Sequence, residues 1–138
     1  MLSITKIFSF EAAHALKDYN GACANIHGHS YRLEVSVTGE ISSENGMLLD
    51  FHDLKKIVHT TILDKFDHAL MLNSSSDTKL IKTLQKHFDK VLSLPFQPTS
   101  ENLILHFAAL LKSALPDRVH LKRIVLYETE TSFVTYEE

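Results

Sequence analysis

The stretch H-G-H-S-Y-R-L-E-V-S-V-T, residues 27–38, alternates between apolar and polar side chains. Because the side chains of a β-strand repeat every two residues, this pattern predicts a strand with one buried and one exposed face. The apolar face consists of Tyr31, Leu33, Val35 and Val37. His27 and His29 share the parity of that face, so we expect two imidazoles side by side at the start of the strand.

The segments on either side of this stretch extend the prediction to a whole fold. Residues 3–14 alternate in the same way, and His14 lies on the apolar parity of that earlier strand. Helical spacing and capping residues predict three helices: one after Asp50, one over residues 78–92, and one between residues 98–101 and Pro116. Residues 119–129 and 133–136 predict two more strands. Strand pairs that are adjacent in sequence predict an α+β fold, with an antiparallel four-stranded sheet and helices on one face.

The composition narrows the class of protein. The chain has 138 residues, 44% of them hydrophobic, which suits a single domain over residues 1–138. Its net charge of −3 argues against non-specific nucleic-acid binding, so we expect no nucleic-acid partner. No apolar stretch reaches the roughly 20 residues that cross a bilayer, so we expect no membrane partner either. Charged residues near the N-terminus argue against a signal peptide, and the single cysteine, Cys23, suits a reducing compartment. We therefore expect a cytoplasmic protein.

Nine histidines are the unusual feature of this composition, and three of them share apolar strand faces. His14, His27 and His29 can converge on one point if the two N-terminal strands pair. Three imidazoles with no further obvious ligand are typical of a catalytic zinc, whose fourth position stays open for water or substrate. The spacing is also compatible with other metals, because several metals bind imidazole. A further alternative is a site without metal, in which the three histidines are hydrogen-bonded to the backbone at a strand end.

Cys23 lies four residues before His27, in C-A-N-I-H-G-H. It could be a fourth metal ligand, which would close the site and make it structural. It could instead be a thiolate beside the metal, activated by the cation. The third reading is an inert small residue in a loop, although a loop rich in Asn, Gly and Ala offers little apolar burial.

Three further side chains could do chemistry. Asp67 precedes His68, and a carboxylate beside an imidazole can fix its tautomer and raise its basicity, although such a pair can also simply cap a helix. Glu128 has the parity of the apolar strand face, where a carboxylate needs a partner. Such a carboxylate can accept two parallel N–H bonds from a 2-aminopyrimidinone ring. The alternative is that the strand leaves the core before residue 128.

Six short motifs follow one another along the chain: F-x-A-x-H (10–14), C-x₃-H-G-H (23–29), G-x-x-x-D-F-x-x-L-K (46–55), D-H (67–68), P-T-S-E-N (98–102) and Y-E-T (127–129). In this order they resemble the 6-pyruvoyl-tetrahydropterin synthase family over nearly the whole chain. The gap of three residues between Cys23 and His27 is similar to the bacterial branch, the 6-carboxy-tetrahydropterin synthases of the queuosine pathway. Residues 74–97 predict an extra helix beside the shortest members of the family.

The resemblance implies the tunnelling fold, in which trimers pool their sheets into a β-barrel and two trimers stack as a hexamer. It implies the following residue roles: Zn²⁺ on His14, His27 and His29, Cys23 as base, Asp67 and His68 as proton relay, and Glu128 as pterin anchor. It also implies that Thr99 of P-T-S-E-N contacts the substrate. Ala15 stands where many members have a basic residue, which directs the triphosphate contact to Lys17 or to another chain.

The activity implied is a zinc-dependent carbon–oxygen lyase reaction on 7,8-dihydroneopterin triphosphate. The products in the bacterial branch are 6-carboxy-5,6,7,8-tetrahydropterin, acetaldehyde and triphosphate. One alternative is 6-pyruvoyl-tetrahydropterin synthase activity, which keeps all the side-chain carbons. Another is a non-catalytic, zinc-stabilised pterin-binding module with Cys23 as the fourth ligand.

Overall fold

The computed structural model describes residues 1–138, and its framework is one six-stranded sheet in the order β4-β3-β1-β2-β5-β6. The strands are β1 (Ser3–His14), β2 (His27–Gly39), β3 (Ala69–Asn73), β4 (Val91–Leu94), β5 (Val119–Tyr127) and β6 (Phe133–Glu137). Four of them, β1, β2, β5 and β6, pair antiparallel, as the sequence predicts. The fold is α+β.

The hairpin of β1 and β2 sets the position of the predicted site. The two strands pair along their whole length, with His14 opposite His27 and Ala12 opposite His29. Directly paired residues of antiparallel strands project to the same face of the sheet. The register therefore puts all three histidines on the face that also carries the buried Phe10 and Tyr31.

The sheet differs from the prediction by two extra strands. β3 pairs parallel with the end of β1, and β4 pairs parallel with β3. Both strands are short, and β3 (A-L-M-L-N) is apolar without alternation, because it is covered on both faces. The predicted helix over residues 78–92 is too long. The helix ends at His87, and Val91–Leu94 form the strand β4, whose short apolar run the prediction assigned to the helix.

Four helices accompany the sheet, each placed by its local sequence. They are α1 (Phe51–Val58), α2 (Asp64–Phe66), α3 (Thr78–His87) and α4 (Ser100–Ala114), with a π-helical turn over His59–Leu63 joining the first two. Asp50 caps α1 by accepting from the His52 N–H at 2.7 Å, which confirms the predicted cap. Asp77 and Thr99 cap α3 and α4 in the same way. None of the helices has both the length and the apolarity needed to span a membrane.

The main core lies between the sheet and the helices α1, α2 and α4. Phe107 of α4 packs edge-on against Phe10 of β1 and against Phe66 of α2, with ring centroids 6.2 and 5.0 Å apart. In contrast, α3 packs through Ile81 against Leu72 and Val91, away from that core. The helix α3 thus covers the face of β3 and β4 that points away from the main core. The prediction that all helices lie on one face of the sheet is therefore wrong for α3.

Gly39 ends β2 at a point where the backbone of β5 leaves no room for a side chain. A Cβ placed on Gly39 would lie 2.4 Å from the backbone oxygen of Arg118, whereas one on Gly21 would meet only the ring of Tyr19. We expect Gly39→Ala to lower the free energy of unfolding by about 1–3 kcal/mol, because the two strands must separate to admit the methyl group. Thermal unfolding of this variant beside Gly21→Ala, which should change the melting temperature little, measures the effect. Equal melting temperatures would show that the β2–β5 contact relaxes freely.

Candidate metal centre and active site

Three imidazoles meet on the buried face of the hairpin. One ring nitrogen from each of His14, His27 and His29 lies within 4.8 Å of the other two. His14 is buried and the other two are half-buried. The structure therefore brings together the three histidines that the strand parity predicts to be neighbours.

Hydrogen bonds to backbone carbonyls define which nitrogen faces the centre. The Nδ1 atom of His14 lies 2.7 Å from the Pro98 oxygen, and Nδ1 of His27 lies 2.7 Å from the Asn25 oxygen. A carbonyl oxygen only accepts, so each Nδ1 carries the hydrogen, and each Nε2 of the neutral ring carries a lone pair. Burial lowers the pKa of His14, and the bond to Pro98, which raises it, does not outweigh this effect. The neutral form, which is the form that binds metals, is thereby favoured.

The resulting arrangement fits a metal ion. The Nε2 atoms of His14 and His27 stand 3.1 Å apart with their lone pairs facing each other, which is repulsive unless a cation or a proton lies between them. Two nitrogens bound at about 2.0–2.1 Å to one tetrahedral zinc stand about 3.3 Å apart. The Nε2 atom of His29 is buried and has no hydrogen-bond partner, as expected of a third ligand. Carbonyl partners on the far nitrogens are typical of metal-binding histidines.

Cys23 lies on a short 3₁₀ turn, Ala22–Ala24, between the two strands. Its thiol is free and half-buried, and its sulfur is not part of the histidine cluster. The turn is tied to β1 through the Leu16 N–H, which donates to the Cys23 oxygen at 2.9 Å. The cluster thus consists of three histidines and does not include Cys23.

Gln97 holds the loop that follows His14, a contact that sequence reasoning missed. Its side-chain oxygen accepts from the Lys17 N–H at 3.0 Å, and its Nε2 donates to the Lys17 oxygen at 2.7 Å. The Lys17 ammonium itself donates to the Ser75 oxygen at 2.8 Å. No local pattern marks this clamp, because it joins residues 80 positions apart.

Glu128 lies next to His29 of the cluster and directly after β5, which ends at Tyr127 and so is two residues shorter than the predicted strand over residues 119–129. Its Oε1 atom is 3.6 Å from Nε2 of His29, and its Oε2 atom accepts from the Ser100 hydroxyl at 2.8 Å. The backbone of Glu128 is held by a turn, in which its N–H donates to the Ser132 oxygen at 3.0 Å. Glu128 and the histidines therefore belong to one cluster, and Ser100 is a contact that sequence reasoning did not single out.

Thr99 and Ser100, at the start of α4, make different contacts. The Thr99 hydroxyl accepts from the Asn102 N–H at 3.3 Å, so its side chain caps the helix. Ser100, which is buried, is the residue that reaches Glu128. The only signal for Ser100 in the sequence is its place inside P-T-S-E-N.

Asp67 and His68 form a pair of their own. The Asp67 carboxylate lies 2.9 Å from Nδ1 of His68 and accepts from the Glu11 N–H at 3.0 Å. Partial burial raises the pKa of Asp67, but the Glu11 hydrogen bond and the neighbouring His68 outweigh it and hold the pKa below its usual value. His68 is exposed and has a positive φ of 65°, a conformation that only a constrained non-glycine residue keeps.

The pair makes no hydrogen bond or ionic contact with the histidine cluster or with Glu128. His68 lines a hollow of about 350 Å³ with Glu11, Gly28 and Ser30, residues of the hairpin whose parity is opposite to that of the histidine cluster. This volume is within the range of about 300–1,000 Å³ that is typical of small-molecule sites.

Known proteins are similar to this chain in both sequence and fold. The sequence profile of 6-pyruvoyl tetrahydropterin synthase matches residues 3–138. A 6-carboxy-5,6,7,8-tetrahydropterin synthase of Haemophilus influenzae is 36% identical over 143 aligned residues, which span the whole of both chains. A 6-pyruvoyl tetrahydrobiopterin synthase of Dictyostelium discoideum is 33% identical over 120 residues, covering 87% of this chain and 76% of its own.

Among solved structures, the 6-pyruvoyl tetrahydropterin synthase of Caenorhabditis elegans superposes with a TM-score of 0.72 at 27% identity. The superposition covers 99% of this chain and 95% of the other. Sequence and fold thus agree over the full length, and the chain belongs to the 6-pyruvoyl tetrahydropterin synthase family.

Proposed function

We propose that the protein is a 6-carboxy-5,6,7,8-tetrahydropterin synthase that depends on zinc. It converts 7,8-dihydroneopterin triphosphate and one water into 6-carboxy-5,6,7,8-tetrahydropterin, acetaldehyde and triphosphate, as a step of queuosine biosynthesis. The observation that carries this proposal is the convergence of three imidazoles, two of them with their lone pairs turned towards each other, beside a carboxylate. The full-length similarity to the Haemophilus influenzae enzyme supports the product.

In this proposal, His14, His27 and His29 hold the zinc, which when bound acts as a Lewis acid on the side-chain oxygens of the substrate. Glu128 accepts two N–H bonds from the pterin ring and fixes its orientation. Lys17 supplies positive charge for the triphosphate, and Thr99 contacts the substrate at the start of α4.

Proton transfer falls to Cys23 and His68. The Cys23 thiolate removes a proton from the carbon side chain of the substrate, and His68 returns one at another atom. Because Nδ1 of His68 faces the Asp67 carboxylate, it carries the hydrogen, and Nε2 remains to exchange the proton.

A homo-oligomer, a trimer or a dimer of trimers, is part of the proposal. β3 pairs with β1 only at Ala12–His14, so one edge of β1 from Ser3 to Glu11 has no strand beside it, and β6 is an open edge at the other end of the sheet. Ile7 on the first edge and Phe133 on the second are both exposed apolar side chains. Open edges of this kind pair readily with another chain.

Two alternatives make different predictions. A 6-pyruvoyl-tetrahydropterin synthase, the activity that the name of the Dictyostelium discoideum relative states, keeps every carbon of the substrate side chain. A zinc-stabilised binding module needs a closed metal site, and the separation of Cys23 from the histidine cluster argues against that.

The product formed from 7,8-dihydroneopterin triphosphate tests the proposal directly. We expect mass spectrometry of the zinc-loaded protein's reaction to show 6-carboxy-5,6,7,8-tetrahydropterin and acetaldehyde. A 6-pyruvoyl product with no acetaldehyde would identify the first alternative. Unchanged substrate with intact pterin binding would identify the second.

The metal assignment predicts a specific loss in His27→Ala. This variant removes one of three ligands, so we expect less than 0.1 zinc per chain by elemental analysis after dialysis, against about one in the unmodified protein. His52→Ala is the matched control, because His52 is exposed on α1 and lies outside the cluster. A full zinc content in His27→Ala would refute the ligand set.

The proposed role of Cys23 as the base predicts that its removal abolishes activity and leaves the zinc content unchanged. Cys23→Ala should retain one zinc per chain, because its sulfur lies outside the cluster, and should lose activity by about 10²-fold or more. Zinc content and turnover are measured on the same preparation. Loss of the metal in this variant would favour the closed, structural site.

A further inference from the structure

The phenol of Tyr31 is a buried polar group that the proposed chemistry does not use. Its hydroxyl is inaccessible to solvent and has no hydrogen-bond partner, and the residue is 1% exposed. An unpaired buried hydroxyl destabilises a fold, so its presence in a core position needs a reason.

Packing prevents the ring from turning its hydroxyl elsewhere. Tyr31 stacks on Phe10 with a centroid distance of 4.9 Å and an interplanar angle of 6°. Its ring also stands edge-on to the rings of His29 and His14, at centroid distances of 5.7 and 6.4 Å. The ring of Tyr31 is therefore held between Phe10 and the histidine cluster.

The register of β2 and β5 brings Glu128 near this residue. The last pairs of the ladder are Leu33 with Leu126 and Arg32 with Tyr127, so extending the register by one residue past the end of β5 sets Tyr31 opposite Glu128. Leu33 and Leu126 are both buried on the core face, and Tyr31 and Glu128 share their parity. Opposed side chains on one face have Cβ atoms about 4.5–5.5 Å apart.

The Glu128 carboxylate can accept more hydrogen bonds than it does in this structure. Oε2 of Glu128 accepts from Ser100, whereas Oε1 has only the contact of 3.6 Å with Nε2 of His29. A ring nitrogen that binds a metal cannot also carry a hydrogen for the carboxylate. Once His29 is a ligand, Oε1 is free to accept from another donor. Two carboxylate oxygens offer about four lone-pair sites, enough for two protein donors and two N–H groups of a ring.

We propose that Tyr31 is a positioning residue for Glu128: its O–H donates to the carboxylate in the loaded site and, with Ser100, fixes the plane in which the carboxylate faces the pterin ring. This inference rests on the proposed role of Glu128 as the ring anchor. The hydroxyl is inaccessible to a ligand, so it acts through Glu128 and does not touch the ring itself.

Tyr31→Phe tests the proposal, because it removes the hydroxyl and keeps the stacked ring. Calorimetric titration of neopterin, a non-reactive pterin, into the zinc-loaded protein should show about tenfold weaker binding, the equivalent of about 1.4 kcal/mol. Zinc content should not change, and the melting temperature of the ligand-free variant should be equal or higher, since an unpaired buried hydroxyl is gone. Tyr136→Phe is the control, because the Tyr136 hydroxyl contacts Lys112 and Glu138, away from the site.

Glu128→Gln separates the failure of this inference from that of the anchor. If Glu128→Gln binds neopterin as tightly as the unmodified protein, the anchor role fails and the inference fails with it. If Glu128→Gln weakens binding and Tyr31→Phe does not, only the positioning role is refuted. Tyr31→Phe added to Glu128→Gln should cause no further loss, because both act on one contact. A further loss in the double variant, a loss of zinc, or a lower melting temperature in Tyr31→Phe would each overturn the proposal.

Discussion

The hydrogen bond between Nδ1 of His14 and the Pro98 carbonyl joins the end of β1 to the segment that leads into α4 at the candidate site. It fixes the tautomer of His14. Pro98 immediately precedes Thr99, the cap of α4, and Ser100, the first residue of that helix, donates to Glu128. The N–H of His14 has no other acceptor, and the residue is almost fully buried. The direction of the His14 lone pair thus depends on the segment that leads into α4, and the apolar core holds that helix on the sheet.

The antiparallel register of β1 and β2 is the second constraint. It sets His14 opposite His27, and a shift by one residue would move a histidine to the exposed face of the sheet. The alternation of Tyr31, Leu33, Val35 and Val37 below the histidines specifies that register, because every one of them is buried. The site is therefore specified by the same apolar packing that stabilises the hairpin.

Periodicity and capping were sufficient to predict the four antiparallel strands, the cap of α1 and the end of α4 before Pro116, since each leaves a local pattern in the chain, whereas α4 starts at Ser100, inside the motif that the prediction placed before it. They were insufficient for β3 and β4, whose short apolar runs are compatible with either a helix or a strand. The parity of His27 and His29 predicted their convergence. The clamp of Gln97 on Lys17 and the contact of Ser100 with Glu128 join distant segments, and nothing local in the sequence marks them.

The spacing of these contacts along the chain has a consequence for the order in which the protein matures during synthesis. All three histidines belong to the first 29 residues and leave the ribosome early, whereas the carbonyl that orients His14 belongs to a residue 84 positions later. Until that residue has emerged and α4 has packed, His14 is free to present either nitrogen. For the proposed ligand set, correct metal uptake would therefore follow translation of most of the chain, because the nascent hairpin would present three imidazoles whose tautomers are not yet fixed.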